Sequence, residues 1–207
     1  ERDLTAGADD RDVDSGSSHA TPGSQFGDLR ESLISSETAY KGIFLELKRD
    51  VVRLPDGNTA YREYLTHPGA VAILAFTDDG ELIMERQYRY PVGREFLEIP
   101  AGKIDPGEDP LETGKRELLE ETGFRAARWR YLGVMHPCIG YASERIEYFL
   151  AEGLTQERAQ LDHGEFLEVF SAPLNTVIDW VRTGRITDSK TIAGLLWAEK
   201  IRSGVWR

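Results

Sequence analysis

Cysteine is almost absent from this chain: Cys138 is the only one in 207 residues. A lone thiol cannot close an internal disulfide, so a disulfide-stapled secreted module is excluded and a reducing cytoplasm is the expected compartment. Long apolar runs are missing as well. None approaches the roughly 20 residues that a membrane span needs, and no secretory signal is expected. Positive charge is in short supply: 25 Lys and Arg stand against 36 Asp and Glu, a net charge of −11. Nucleic acids and anionic membranes both call for basic patches, so neither is an expected partner. The first residue is Glu1 rather than Met, and a natural beginning upstream is expected. What is present suffices for folding: 40% of the residues are hydrophobic, enough for one sizeable domain with an appendage.

Residues 1–38 read as a polar, flexible tail, rich in Asp, Ser and Gly and too poor in large apolar side chains to offset ordering entropy. Within it, LRESLISSETAY is expected to add a short helix or an irregular arm. Residues 39–65 read as an antiparallel β extension, GIFLELKRDVVRL and TAYREYLTH around a turn at Pro55, Asp56, Gly57 and Asn58. GAVAILAFT is nearly all apolar, the pattern of a central strand buried on both faces. ELIMERQYRY, EFLEIP, RWRYLGVM, ERIEYFLAEGL and FLEVFSA are further strands. TQERAQLDHGE is a polar loop. Helices are expected at Leu174 to Arg182 and from about Asp188 to Ile201, the second with Ile192, Leu195 and Leu196 on its core face. Strands outnumber helices, and one helix sits between strands, which gives an α+β class built as an αβα sandwich of mixed sheet.

The chemistry concentrates in GKIDPGEDPLETGKRELLEETGF, Gly102 to Phe124. Asp109 is a good N-cap, Pro110 suits the first helical position, and Glu112 completes the spacing of a capping box. Gly123 suits a left-handed C-cap. Glu117 and Glu121 lie one turn apart on the resulting helix, with Glu120 beside them. Carboxylates so close repel one another unless a cation sits among them, and hard oxygen donors suit Mg2+ or Mn2+.

This stretch resembles the Nudix box at Gly102, Glu108, Arg116, Glu117, Leu118, Glu120, Glu121, Gly123 and Phe124, with no departure. From ordinary residue frequencies a chance match is on the order of one in ten million. An acidic solvated helix face would account for the glutamates alone. It would leave the two glycines, Arg116 and Glu108 unexplained. The resemblance implies the Nudix fold over residues 66–207 and a hydrolase of diphosphates linked to another moiety. It implies that Glu117, Glu120, Glu121 and the Ala101 carbonyl hold the divalent ions, and that Arg116 fixes a carboxylate, Glu108, by a bidentate pair.

The flanking segments resemble the ADP-ribose pyrophosphatase branch of that family. In RQYRYPVGREFLEIPAGK, Arg89 and Glu98 are candidates for phosphate or ribose contacts. Pro137, 13 residues past Phe124, stands near a proline of that branch, though a residue or two early. HGEFLEVF resembles the late loop and strand that carry a catalytic glutamate. That implicates Glu165 as general base or further metal ligand, with Glu144 as the alternative. Tyr40 and Phe44 lie where relatives place an aromatic over adenine, partly from a partner subunit, although packing at the start of the sheet explains them as well. Implied with them are a homodimer, a nucleoside diphosphate sugar as substrate, and Mg2+ as cofactor. His136 and Cys138 do not make a nucleophilic pair, since a metal-activated water needs no covalent step. His163 reads as a loop residue, because the other expected ligands are all oxygen. GDP- or UDP-sugars are the alternative substrates. A catalytically silent sensor of ADP-ribose is disfavoured by the intact glutamates and the lack of a basic module.

Overall fold

The computed structural model describes residues 27–161, 164 and 166–206. Expectations for residues 1–26, and for His163 and Glu165, lie outside the described residues.

β1 (Ser32–Lys41), β2 (Glu46–Arg53) and β3 (Thr59–Thr66) form an antiparallel sheet in the order β1-β2-β3. This corrects the sequence reading of LRESLISSETAY. It is neither helix nor irregular arm but most of β1, and the expected end of the tail at residue 38 falls inside that strand. Every residue of β1 is exposed. Its exposed side chains, polar and apolar in no strict alternation, carry no burial signal, and its place in the sheet comes from backbone pairing with β2, which a local reading cannot see.

The core is built on β4 (Ala70–Ala75), which pairs parallel to β9 (Ile146–Gln156) and antiparallel to β7 (Ala101–Lys103). With β8 (Phe124–Met135) the order is β7-β4-β9-β8. β4 is apolar throughout because both of its faces are covered. Val71 and Ile73 pack with Leu118 of helix α1 (Pro110–Thr122). Ala72 and Leu74 pack with Val177 of α2 (Leu174–Arg182) and with Leu195 and Ala198 of α3 (Ser189–Arg202). Helices on both faces make the expected αβα sandwich. Each large side chain buried here contributes about 2 kcal/mol. A third sheet, β10-β5-β6, uses β5 (Glu81–Arg89), β6 (Arg94–Glu98) and β10 (Leu167–Pro173).

The buried stripe of α3 is Thr191, Gly194, Leu195 and Ala198. Ile192 and Leu196, expected to face the core, are exposed. The helix instead presents small residues so that it can approach the sheet closely. A Cβ on Gly194 would stand 2.8 Å from Ile99 Cδ1 and 3.2 Å from Tyr148 Cε1. The Tyr148 hydroxyl donates to the Lys190 carbonyl at 2.7 Å, fixing the start of the helix.

Candidate active site

Helix α1 starts and stops where its residues dictate. Asp109 Oδ1 accepts from the Leu111 N–H at 2.9 Å, Pro110 opens the first turn, and Gly123 ends the helix at φ 73°. The reciprocal half of a capping box does not form, because Glu112 turns to Lys115 instead.

Arg116 organises the acidic face. Its Nε and Nη2 donate to the two oxygens of Glu108 at 3.0 Å each. Nη1 donates to Glu117 at 2.8 Å and to Glu120 at 2.9 Å, and Nη2 also reaches the Lys103 carbonyl at 3.3 Å. The Arg116 bonds hold the Glu108 carboxyl down at about 2, against burial and with help from the Thr113 hydroxyl. The same pairing pushes Arg116 well above its ordinary range.

Strand β7 is the sheet edge against which this face rests. Its Ala101 N–H donates to Glu121 Oε2 at 3.1 Å, while its Lys103 carbonyl accepts from Arg116. Alternate residues of an edge strand turn their backbone groups away from the sheet, so the Ala101 carbonyl lies on the helix side, beside Glu121. Glu121 is buried, at 4% exposed. Between them Gly102 leaves room for one carboxylate: a Cβ there would stand 1.9 Å from Glu117 Cδ. Among the described residues no group of three carboxylate, His or Cys side chains closes into a finished metal cage. The donor set nevertheless fits a hard divalent ion. All its donors are oxygen, and the Gly102 cradle sets Glu117 against the strand that carries Ala101.

A cleft of about 450 Å³ holds several of the other expected residues. Arg89, Glu98, Pro137 and Glu144 line it, together with Phe96, Thr187, Asp188 and Lys190. Arg89 grips Glu98 through Nε and Nη2, both at 2.8 Å. Burial pushes Glu98 up, but the bonds from Arg89 and Lys190 outweigh it and hold the carboxyl below its ordinary range. Glu144 stands 3.8 Å from His67 Nδ1. Tyr40 and Phe44 do not line this cleft. Both are exposed, and the Phe44 ring meets Lys103 Nζ at 5.0 Å and His67 edge-on at 5.7 Å. A larger hollow of about 660 Å³ on the β1-β2-β3 sheet is lined by none of the expected site residues, whereas the cleft holds Arg89, Glu98, Pro137 and Glu144.

Sequence reasoning missed Asp188 and Lys190. Asp188 was legible as the start of a helix. Its approach to Glu98 was not, because 90 residues of chain separate them and no local pattern records the meeting.

A profile of the NUDIX domain matches residues 66–194. The chain belongs to the Nudix family. The preceding residues 31–65 match the nucleoside diphosphate sugar hydrolase N-terminal domain, which is the β1-β2-β3 sheet. Two relatives named ADP-ribose pyrophosphatase cover most of this Nudix chain. The one from Bacillus subtilis is 41% identical over 79% of this chain and 89% of its own. The one from Mycobacterium tuberculosis is 38% identical over 83% and 84%. A solved structure titled "Crystal structure of ADP compounds hydrolase" superposes with a TM-score of 0.78 at 24% identity. It covers 87% of this chain and 98% of its own, a likeness of fold. The protein is thus a Nudix pyrophosphatase, and no helix among its described residues is long and apolar enough to cross a membrane.

Proposed function

We propose that this Nudix enzyme hydrolyses the diphosphate of ADP-ribose to AMP and ribose 5-phosphate, with Mg2+ as cofactor and Mn2+ as a substitute. The observation that carries this reading is the carboxylate face of α1, organised by Arg116 and set against the edge strand that leads in from the cleft wall at Glu98. The names of the two relatives support ADP-ribose over other nucleoside diphosphate sugars. The cleft, at about 450 Å³, falls within the range of ligand pockets.

Glu117, Glu120, Glu121 and the Ala101 carbonyl would hold the divalent ion. When bound, such an ion neutralises diphosphate charge and acidifies a water. Arg89 offers the guanidinium edge that Glu98 leaves unused to a phosphate or ribose oxygen. Glu165 takes the proton from the attacking water or serves as a further metal ligand, and Glu144 is the alternative base at the cleft. Water attacks one phosphorus in line and the other phosphate leaves, with no covalent enzyme intermediate.

The functional unit in this reading is a cytoplasmic homodimer. β1 is a ten-residue exposed strand, and Leu33, Ile34, Tyr40, Ile43 and Phe44 lie exposed on or next to it. A long exposed edge with apolar side chains invites pairing. A second subunit would cover it and bring Tyr40 or Phe44 to the partner's adenine.

The decisive experiment is a panel of nucleoside diphosphate sugars at fixed Mg2+ with product identification. ADP-ribose ranks among the best substrates and yields AMP. A clear preference for GDP- or UDP-sugars would overturn the assignment.

A further inference from the structure

One run of ion pairs in the cleft wall has more members than substrate contact requires. Glu98 is 5% exposed, and its two oxygens take Arg89 Nε and Nη2 at 2.8 Å and also Lys190 Nζ. A bidentate arginine already balances a buried carboxylate. Lys190 brings its own counter-ion, Asp188, at 2.9 Å. Two cations and two carboxylates sum to zero.

The run closes on itself. Asp188 caps α3, accepting from Thr191 N at 3.0 Å and from Thr191 Oγ1 at 2.7 Å. Thr191 Oγ1 in turn accepts the N–H of Ile99, the residue next to Glu98, at 3.1 Å. Glu98 is therefore pinned through its side chain by Lys190 and through its neighbouring backbone by Thr191. Lys190 is only 12% exposed, too covered to be a main substrate contact, whereas Arg89 is 43% exposed and lines the cleft.

We propose that Lys190 is a positioning residue for substrate. Paired with Glu98, it keeps this run of the cleft wall neutral beside the Arg89 guanidinium, so that an anionic diphosphate is admitted. Without it, Glu98 and Asp188 outweigh Arg89 by one negative charge in the place where the substrate's own charge arrives. This rests on the reading that the cleft takes the nucleoside diphosphate sugar.

The test is steady-state kinetics of the full chain with ADP-ribose, or with whichever nucleoside diphosphate sugar the wild type cleaves best. Lys190→Met raises KM about tenfold and leaves kcat within about threefold, the signature of lost binding rather than lost chemistry. Adding Asp188→Asn restores neutrality while keeping a competent N-cap, and KM returns to within about threefold of wild type. An unaltered KM in Lys190→Met overturns the inference. So does a double variant with Asp188→Asn no better than the single. If Lys190→Met does not fold, the neutral double variant decides alone, and a tenfold raised KM there counts against the proposal. A wild type inert on the whole panel removes the functional reading and this inference together. A wild type that turns over beside an unaffected Lys190→Met removes only the inference.

Discussion

Gly102→Ala separates catalysis from folding more cleanly than any change to a charged residue. The added Cβ would stand 1.9 Å from Glu117 Cδ, 2.1 Å from its Oε1 and 2.4 Å from its Cγ. Those distances are far inside contact, so something must move. Gly102 does not have a positive φ, so alanine meets no backbone strain there. The obstacle is the end of a flexible side chain, and Glu117 can swing away at the cost of its 2.8 Å bond to Arg116. Overpacking a rigid core costs about 1–3 kcal/mol. Relief by one side-chain rotation keeps this case at about 1 kcal/mol, or about 2–4 °C in Tm for a chain of this size. Catalysis has no such escape, because the displaced carboxylate is one of the proposed metal ligands. Disturbing the support of a ligand typically costs about 10–100-fold, and displacing the ligand itself should reach at least the upper end of that range. The assay pairs thermal unfolding with hydrolysis across a Mg2+ titration. A folded Gly102→Ala variant with wild-type kcat and unchanged Mg2+ dependence would refute the assignment of Glu117. A variant that fails to fold would refute the claim that the cradle serves chemistry rather than stability.

Further expectations follow from neighbouring contacts. Glu121→Gln, which is isosteric, lowers turnover by several orders of magnitude through the metal site while Tm holds; wild-type turnover would show that site to be misplaced. Glu165→Gln lowers kcat more than it raises KM if Glu165 holds the proton, and an effect on neither moves the role to Glu144. Glu108 has its folded-state value depressed from 4.5 to about 2. Its contribution to stability is thus complete above about 4.5 and lost as pH falls from there toward 2. Urea unfolding should therefore show a gap between wild type and Glu108→Gln at pH 7 that narrows by pH 3; a constant gap would count against the Arg116 pair as its source. Gly194→Ala gains about 1 kcal/mol in helix propensity but drives a Cβ against the buried Ile99 and Tyr148. A net loss in Tm is expected, and a gain would show that α3 can back away from the sheet.

The parts of this molecule that were legible in sequence are those fixed by short offsets. The α1 boundaries follow from Asp109, Pro110 and Gly123, each acting on its own turn of backbone. The apolar run of β4 announces burial on both faces because nothing else accounts for it. β1 announces nothing: SSET is polar, Leu33 and Ile34 beside it are exposed, and only its ladder to β2 makes it a strand. The misjudged face of α3 has the same origin. Hydrophobicity singled out Ile192 and Leu196, whereas the sheet selected Thr191, Gly194 and Ala198 for being small enough to let the helix come close. Lys190 and Glu98 meet across the fold, so their pairing is a property of topology and not of spacing. Even within the box, spacing stated only that residue 102 is glycine. The structure adds which atom that glycine makes room for, and a carboxylate in that space turns a family signature into a steric argument that one methyl group can test.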